Sequence, residues 1–240
     1  LYELLHDRIT KGVTAKGGLS AKLFWMAVTL GRKKLLGKRL NMTETFLDKC
    51  LDVLVRKKVR QRFGGRLAFF VSGGAALNPD IGSFFLSLGV NILQGYGQTE
   101  ASPLISANRP GRIRIETVGP AVDGVEIKLA GDGELLARGA CLMKGYWRNQ
   151  QATAETIIDG WLHTGDLAQI DADGFVTITG RKKEIIVNSG GENIAPSRIE
   201  AEFIAQPEIS QIMVYGDGRP HLVALIVPSV EVREEINFAQ

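Results

Sequence analysis

The first 66 residues alternate apolar and polar positions with the period of amphipathic helices. Four apolar side chains at the start recur at helical spacing, namely Leu1, Leu4, Leu5 and Ile9. A second apolar stretch covers 19–30, and 43–62 carries apolar residues along one face, with Thr43 as the predicted N-cap. The pattern therefore predicts a helical first quarter of the chain.

The period of the pattern changes after these helices. Residues 67–71 form a continuous apolar run, which is typical of a parallel strand buried on both faces. Asn78 and Pro79 then predict the N-cap and first position of a helix, and 90–93 predicts a second strand. A strand–helix–strand order predicts an open α/β sheet, which binds ligands at the carboxyl ends of its strands.

Short strands separated by turns dominate from residue 118 onward. The predicted pairs are 125–129 with 134–138, and 168–170 with 175–178 across the turn sequence DADG. The region 118–180 is therefore predicted to be a small antiparallel sheet or distorted barrel. The fold class is α/β plus a β-barrel-like subdomain.

A smaller α+β unit is predicted at the end of the chain. Its elements are a strand, a helix and two strands, at 184–187, 196–205, 209–215 and 221–227. The predicted domain division is therefore 1–180 for a large domain and 181–240 for a hinge with an incomplete small domain.

Charge is distributed unevenly along the chain. Residues 1–66 hold 16 Lys and Arg against 5 Asp and Glu, although the whole chain carries only +3. A basic segment favours an anionic partner, either a peripheral membrane surface or a larger acidic domain. For the apolar run around Trp25 a buried helix with a charged end is favoured, and a position in a membrane interface is the alternative. Nucleic acid is disfavoured, because no aromatic residues alternate with the basic ones in the way that stacking requires.

Cysteine use and hydropathy indicate a cytoplasmic protein. Cys50 and Cys141 lie far apart and match no metal or redox spacing, which fits a reducing compartment. No stretch has the apolar length of a membrane span, and the first residues do not resemble a signal peptide.

Candidate chemistry is concentrated between residues 159 and 200. Asp166, next to Gly165, offers a short acceptor for both hydroxyls of a ribose, and the planar fork of Arg181 suits phosphate or sugar oxygens. The pair Gly190–Gly191 permits positive φ or a close backbone approach. The alternative is that Asp166 caps a turn and that the basic residues 181–183 form a solvated linker.

Four motifs in register carry a family resemblance. They are GYGQTE at 95–100, GELLARGACLMKGYW at 133–147, GWLHTGDLAQIDADGFVTITGRKKEII at 160–186 and SGGENIAPSRIE at 189–200. Together they resemble the second half of an adenylate-forming (AMP-binding) enzyme. The helices and FGGRLAFFVSGGAAL at 63–77 are similar to long-chain fatty-acyl-CoA synthetases. The resemblance covers nearly the whole chain and implies the C-terminal part of the large lobe followed by the start of the small lobe.

The resemblance implies an AMP-forming acid–thiol ligase that uses ATP, Mg²⁺ and coenzyme A. A fatty carboxylate would attack the α-phosphate of ATP, and the coenzyme A thiol would then attack the acyl-AMP. Acyl transfer to acyl carrier protein, release as acyl-AMP, and a non-catalytic membrane or protein-interaction module are the alternatives. Acyl chain length and oligomeric state stay open, with a homodimer among the expectations.

The resemblance also implies which residues contact the nucleoside. Gly95 and Tyr96 would contact adenine, which stacks on the tyrosine ring. Gly74 and Ala75 would line the other side of the base. Asp166 would bind the ribose hydroxyls.

Phosphate, metal and thiol roles are implied for a second group of residues. Thr99 would reach a phosphate oxygen, and Glu100 would hold Mg²⁺. Arg181 and Lys183 would lie in the linker, where Lys183 is the pivot of the small lobe and touches the AMP phosphate. The residues that would face the pantetheine tunnel are Gly190, Gly191 and Glu192.

Two parts of the family pattern have no counterpart in residues 1–240. These are the phosphate loop rich in Ser, Thr and Gly, with its lysine, and the catalytic lysine near the end of the small lobe. We therefore expect the chain to be a fragment that does not make acyl-CoA by itself.

Overall fold

The computed structural model describes residues 1–230 and 232–233. The chain divides into two compact units. The first unit consists of Leu1–Tyr96 and Ala107–Gly119, and the second of Gly97–Ser106 and the chain from Pro120 onward.

Five helices form most of the first unit. They are α1 (Tyr2–Lys16), α2 (Gly18–Leu35), α3 (Met42–Leu51), α4 (Lys57–Arg62) and α5 (Pro79–Ser87). A π-helical turn, Asp52–Arg56, joins α3 to α4. None of the helices in the described part of the chain is both long enough and apolar enough to cross a membrane.

The start of α3 differs from the sequence prediction. Its N-cap is Asn41, whose Oδ1 accepts the backbone N–H of Glu44 at 2.8 Å, while Glu44 Oε2 accepts the backbone N–H of Asn41 at 3.0 Å. The predicted cap, Thr43, is wrong, because this reciprocal pair of bonds requires the cap to lie three residues before the acid. Thr43 instead donates its hydroxyl to Asn41 Oδ1.

The core of the first unit lies between α2 and α5. Phe84 and Phe85 are fully buried and meet edge to face, with their ring centroids 5.4 Å apart. Gly31 lies against Ser87, since a Cβ built on Gly31 would be 2.5 Å from the Ser87 carbonyl oxygen. The two helices therefore pack at backbone distance.

A short parallel sheet adjoins these helices, as the strand–helix–strand order predicts. Strand β1 (Phe70–Ser72) pairs with β2 (Ile92–Tyr96), and Ala107 at the end of β3 (Ser106–Ala107) extends the order to β1-β2-β3. Both strands begin two to three residues later than predicted. The prediction that β1 is buried on both faces is wrong, because Val71 is exposed.

An antiparallel sheet forms the larger part of the second unit, as predicted for 118–180. Its strands are β4 (Val125–Leu129), β5 (Glu134–Gly139), β6 (Ile157–Ile158), β7 (Trp161–Ile170) and β8 (Val176–Arg181), and α6 (Gln150–Thr156) precedes β6. Strand β7 is central, because it pairs with β5, β6 and β8. Asp171 forms the predicted turn before β8 by accepting the N–H groups of Asp173 and Phe175.

The remaining described residues form a small α+β group. A 3₁₀ turn, Lys182–Glu184, leads into β9 (Ile186–Val187), β10 (Asn193–Ile194), α7 (Pro196–Ile204), β11 (Ile209–Tyr215) and β12 (Val223–Pro228). The strand predicted at 184–187 is wrong in its first half, which belongs to the 3₁₀ turn or to the residue after it. Glu200 of α7 accepts the backbone N–H of Val214 at 2.8 Å, which fixes α7 against β11.

One face of the β11–β12 hairpin is apolar and exposed. Met213 pairs with Leu225, and Tyr215 pairs with Val223. All four side chains are exposed, whereas Val214, which points to the other face, is buried.

Candidate functional site

Two glycine-containing loops lie side by side at the carboxyl ends of β1 and β2. Gly74 has a φ of +82°, and a Cβ built on Gly73 would be 3.4 Å from the carbonyl oxygen of Gly95. Ala75 is exposed and Tyr96 is half-buried at the end of β2. The first unit thus brings these predicted adenine-binding residues to the edge where open α/β sheets bind ligands.

Glu100 is fixed at both its backbone and its side chain. Its carbonyl oxygen accepts the backbone N–H of Met143 at 2.8 Å, and its Oε1 accepts the hydroxyl of Tyr146 at 2.8 Å. The hydrogen bond to Glu100 raises the pKa of Tyr146. Thr99 is exposed and begins a short 3₁₀ turn, Thr99–Ala101, which also contains Glu100.

The carboxylate of Glu100 fits the chemistry of a magnesium site. Within the described residues, no three or more His, Cys, Asp or Glu side chains are grouped to hold a metal ion. Mg²⁺ differs from metals that need such a cage, because it is usually held by one or two carboxylates together with waters and substrate phosphates. A carboxylate that accepts one tyrosine hydroxyl keeps lone pairs for a cation.

Asp166 and Arg181 are brought together as cross-strand neighbours of β7 and β8. Arg181 Nε donates to Asp166 Oδ1 at 2.8 Å, and Nη2 lies 3.4 Å from Oδ2. Asp166 is buried, and Gly165 before it has a φ of +72°. Because Asp166 lies within a strand, the turn-capping alternative has no support.

The linker that follows β8 is anchored by its middle lysine. Lys182 Nζ forms ion pairs with Asp132 and with Glu134 Oε2, the latter at 3.3 Å. Hydrogen bonds to Asp132 and then Glu134 raise the pKa of Lys182. Lys183, the predicted pivot, is exposed.

The sequence analysis did not identify Glu134 or Tyr146 as residues that contact the candidate site. For Glu134 a signal was present, because it opens the apolar run Leu135–Ala137, where a charge needs a partner. Its strand is buried over that run.

The loop with Gly190 and Gly191 joins β9 to β10. Asn188 Oδ1 accepts the backbone N–H groups of Gly190 and Glu192, each at 2.9 Å, and its Nδ2 donates to Glu192 Oε2. Gly191 has a φ of +81°. The loop is therefore internally ordered and presents an exposed backbone without side chains at the glycine pair.

The predicted site residues are divided between the two units. The first unit holds Gly74, Ala75, Gly95 and Tyr96. The second unit holds Thr99, Glu100, Asp166, Arg181, Lys183, Gly190 and Gly191. A single nucleotide bound by all of them stays a prediction.

Two family models match the chain. Residues 38–147 match the model described as AMP-binding enzyme, and 183–238 match the model described as AMP-binding enzyme C-terminal domain. Together these matches cover more than half of the chain.

Named relatives are similar to most of this chain. It is 48% identical over 183 residues to the long-chain-fatty-acid–CoA ligase FadD15 of Mycobacterium bovis, covering 76% of this chain and 30% of that protein. It is 33% identical over 234 residues to the long-chain-fatty-acid–CoA ligase ACSBG1 of Mus musculus, covering 94% of this chain and 32% of the relative. The chain spans about a third of the length of these curated relatives.

A solved structure is similar in both sequence and backbone. It is the O-succinylbenzoate coenzyme A synthetase (MenE) from Bacillus subtilis in complex with AMP, with 27% sequence identity and a TM-score of 0.61. The match covers 66% of this chain and 36% of that one.

Proposed function

The chain belongs to the family of AMP-binding enzymes, and we propose that it is part of an ATP-dependent long-chain fatty acid–CoA ligase. A fatty carboxylate attacks the α-phosphate of ATP, so that acyl-AMP forms and pyrophosphate leaves. The thiolate sulfur of coenzyme A then attacks the acyl carbon, so that the thioester forms and AMP leaves. The observation that carries the proposal is the buried carboxylate of Asp166, held beside Arg181 at a glycine with positive φ.

In this proposal the base and the ribose of the nucleoside are bound by different residues. Gly74, Ala75 and Gly95 offer backbone that a flat base can approach, and the ring of Tyr96 offers a stacking surface. Asp166 accepts the ribose hydroxyls, since its carboxylate has lone pairs beyond those used by Arg181.

The phosphates are bound by the residues that follow β2. Thr99 donates its hydroxyl to a phosphate oxygen. Glu100 would hold Mg²⁺ with the carboxylate that accepts the Tyr146 hydroxyl, while its backbone is fixed by the N–H of Met143. When bound, Mg²⁺ neutralises charge that develops on the phosphates. Arg181 supplies a further positive charge next to the ribose.

Thioester formation requires that a different surface of the protein face the acyl-AMP, which is a mixed anhydride. We assign the change of surface to rotation about Lys183, which is exposed in the linker. Gly190 and Gly191 then face the pantetheine arm, for which their exposed backbone leaves space. Pantetheine is shared by coenzyme A and acyl carrier protein, so transfer to the carrier protein is the alternative outcome.

Ribose recognition tests the proposal most directly. The change is Asp166→Ala, compared with Glu155→Gln, which alters an exposed carboxylate of α6. We expect AMP to bind wild type and Glu155→Gln about tenfold or more tighter than Asp166→Ala, because hydrogen bonds to a charged group are lost. Isothermal titration calorimetry measures the affinities.

The same titration with 2′,3′-dideoxy-AMP assigns the loss to the ribose. Wild type should discriminate between the two nucleotides, whereas Asp166→Ala should bind both equally. Equal affinity of wild type and Asp166→Ala for AMP would overturn the role of Asp166.

A second proposal, peripheral binding to an anionic membrane, rests on one face of α3 and the π-helical turn. Met42, Phe46 and Val53 lie along this face and are 91%, 72% and 61% exposed. Lys49 of α3 and Lys57, the first residue of α4, are also exposed. Apolar side chains interleaved with lysines suit an anionic lipid surface. A homodimer that covers the same face is the competing outcome.

A further inference from the structure

Glu134 is a buried carboxylate that the proposed reaction does not use. It is the first residue of β5 and is 5% exposed. Its two oxygens bind different parts of the second unit. Oε1 accepts the backbone N–H of Gly165 at 2.8 Å, and Oε2 accepts Lys182 Nζ at 3.3 Å.

The Oε1 contact holds the backbone that carries Asp166. Gly165 directly precedes Asp166 and has a φ of +72°, a conformation that must be fixed by its surroundings. Thr164 on the other side donates its hydroxyl to the carbonyl oxygen of Leu135 at 2.6 Å. The peptide before Asp166 is therefore bound to β5 at two consecutive residues.

The Oε2 contact holds the linker. Lys182 begins the 3₁₀ turn between β8 and β9, and its ammonium group also pairs with Asp132. Asp132 in turn accepts the backbone N–H of Glu134 at 3.2 Å. Two carboxylates at the β4–β5 turn thus fix the same lysine.

The ionised state of Glu134 depends on these partners. Burial acts to raise its pKa, but hydrogen bonds from Gly165, His163 and Lys182 outweigh it and keep the pKa below its usual value. His163 Nδ1 lies 3.3 Å from Oε2. A buried charge is tolerated only where it is paired and hydrogen-bonded, so removing the linker contact also affects the carboxylate.

We propose that Glu134 is a positioning residue that couples the backbone before Asp166 to the linker at Lys182. Oε1 holds the backbone of β7 at Gly165 in the geometry that presents Asp166 to the ribose. Oε2 holds the linker in the orientation of this structure, and its release accompanies rotation about the linker. The coupling rests on the proposed function, because it takes Asp166 as a nucleotide contact.

Three variants separate the two contacts. Glu134→Gln keeps an amide oxygen that accepts the N–H of Gly165 but removes the charge that binds Lys182. Lys182→Met removes only the linker contact, and Glu134→Ala removes both. Glu155→Gln is the control, because it makes the same chemical change on an exposed helix.

Amide hydrogen exchange of the 240-residue chain without nucleotide measures both contacts. In Glu134→Gln and Lys182→Met we expect exchange of residues 182–187 to rise about tenfold, while the peptide containing Gly165 changes less than threefold. In Glu134→Ala both segments should exchange faster. Thermal midpoints and circular dichroism identify any variant that does not fold. If Glu134→Ala does not fold, Glu134→Gln and Lys182→Met alone test the coupling.

AMP titration adds the functional readout. Glu134→Gln should bind AMP within about threefold of wild type, and Glu134→Ala should lose about tenfold. The coupling is wrong if linker exchange is unchanged in both Glu134→Gln and Lys182→Met, or if Glu134→Ala leaves the Gly165 peptide unchanged. If wild type does not bind AMP at all, the proposed function fails, while the exchange result still decides whether Glu134 joins the backbone of β7 at Gly165 to the linker at Lys182.

Discussion

Arg56 joins three helices of the first unit through one buried guanidinium group. Nη2 donates to Asp48 Oδ1 at 2.6 Å and to the carbonyl oxygen of Ala27 at 2.9 Å, and Nε donates to the carbonyl oxygen of Ser87 at 2.7 Å. The π-helical turn places Arg56 at this junction of α2, α3 and α5. The arrangement supplies the partners that a buried charge requires.

We expect the acid sensitivity of the chain to depend on Asp48, the carboxylate that pairs with Arg56. Burial acts to raise the pKa of Asp48, but hydrogen bonds from Lys34 and Arg56 outweigh it and hold the pKa below its usual 3.8. Because the folded-state pKa is depressed, ionised Asp48 stabilises the protein above about pH 4, and this contribution is lost as pH falls through the folded-state pKa.

Asp48→Asn should therefore lower the free energy of unfolding by about 3 kcal/mol at pH 7, since it leaves Arg56 buried without its anion. The difference in free energy of unfolding from wild type should shrink as pH falls below about 4. Urea denaturation at several pH values measures it, with the exposed Glu155→Gln as control. A difference from wild type that is independent of pH would contradict the assignment.

At the scale of elements, the contact of α2 with α5 depends on the absence of a side chain at Gly31. Gly31→Ala should destabilise the chain by about 1–3 kcal/mol, because its methyl group would overlap Ser87. Gly12 in α1 is the matched control, since a Cβ there meets no atom within 4 Å. Gly12→Ala should stabilise the chain by up to about 1 kcal/mol through helix propensity.

Urea denaturation distinguishes the two alanine variants by the direction in which the midpoint shifts. We expect a lower midpoint for Gly31→Ala and a higher one for Gly12→Ala. Shifts in the same direction would show that α2 and α5 do not pack as closely as Gly31 requires.

Elements defined by local chemistry could be predicted from the sequence. Asn78 and Pro79 begin α5 as expected, because the cap and the first helical turn depend only on neighbouring residues. The turn at 171–174 defines the β7–β8 hairpin for the same reason. The bounds of β1 could not be predicted, since a strand extends only where a neighbouring strand accepts its hydrogen bonds.

The residues of the candidate site likewise divide into those that local sequence predicts and those that depend on distant partners. Asp166 and Arg181 are opposite each other because the hairpin register places them there, and both were predicted as site residues. The charge of Glu134 before an apolar run signals that it needs a partner, but Gly165 and Lys182 are 31 and 48 residues away, so no local pattern identifies them as the partners. The hydrogen bond between Tyr146 and Glu100 was not predicted for the same reason, since the two residues are separated by 46 positions.

At the scale of the whole molecule, the proposed binding to a membrane should depend on salt, because residues 1–66 carry an excess of basic residues. We expect the chain to sediment with vesicles that contain phosphatidylserine and to dissociate as NaCl rises from 50 to 500 mM, because salt screens exposed charges. Val53→Ser should weaken binding. Val230→Ser, which changes a valine of similar exposure at 64%, should not.

The same valine variants distinguish a membrane surface from a homodimer. Dimers in solution that Val53→Ser dissociates, together with no binding to vesicles, would assign the α3 face to a second copy. Binding that neither salt nor Val53→Ser changes would contradict both assignments.

The apolar face of the β11–β12 hairpin, which no described residue covers, affects how the purified chain can be handled. Met213, Tyr215, Val223 and Leu225 form a strip that water wets poorly. Strips of this kind adhere to one another when molecules are crowded, so turbidity should appear at lower protein concentration than for a chain without it. Solutions for spectroscopy are therefore best kept dilute and cold, since the attraction between apolar surfaces weakens on cooling.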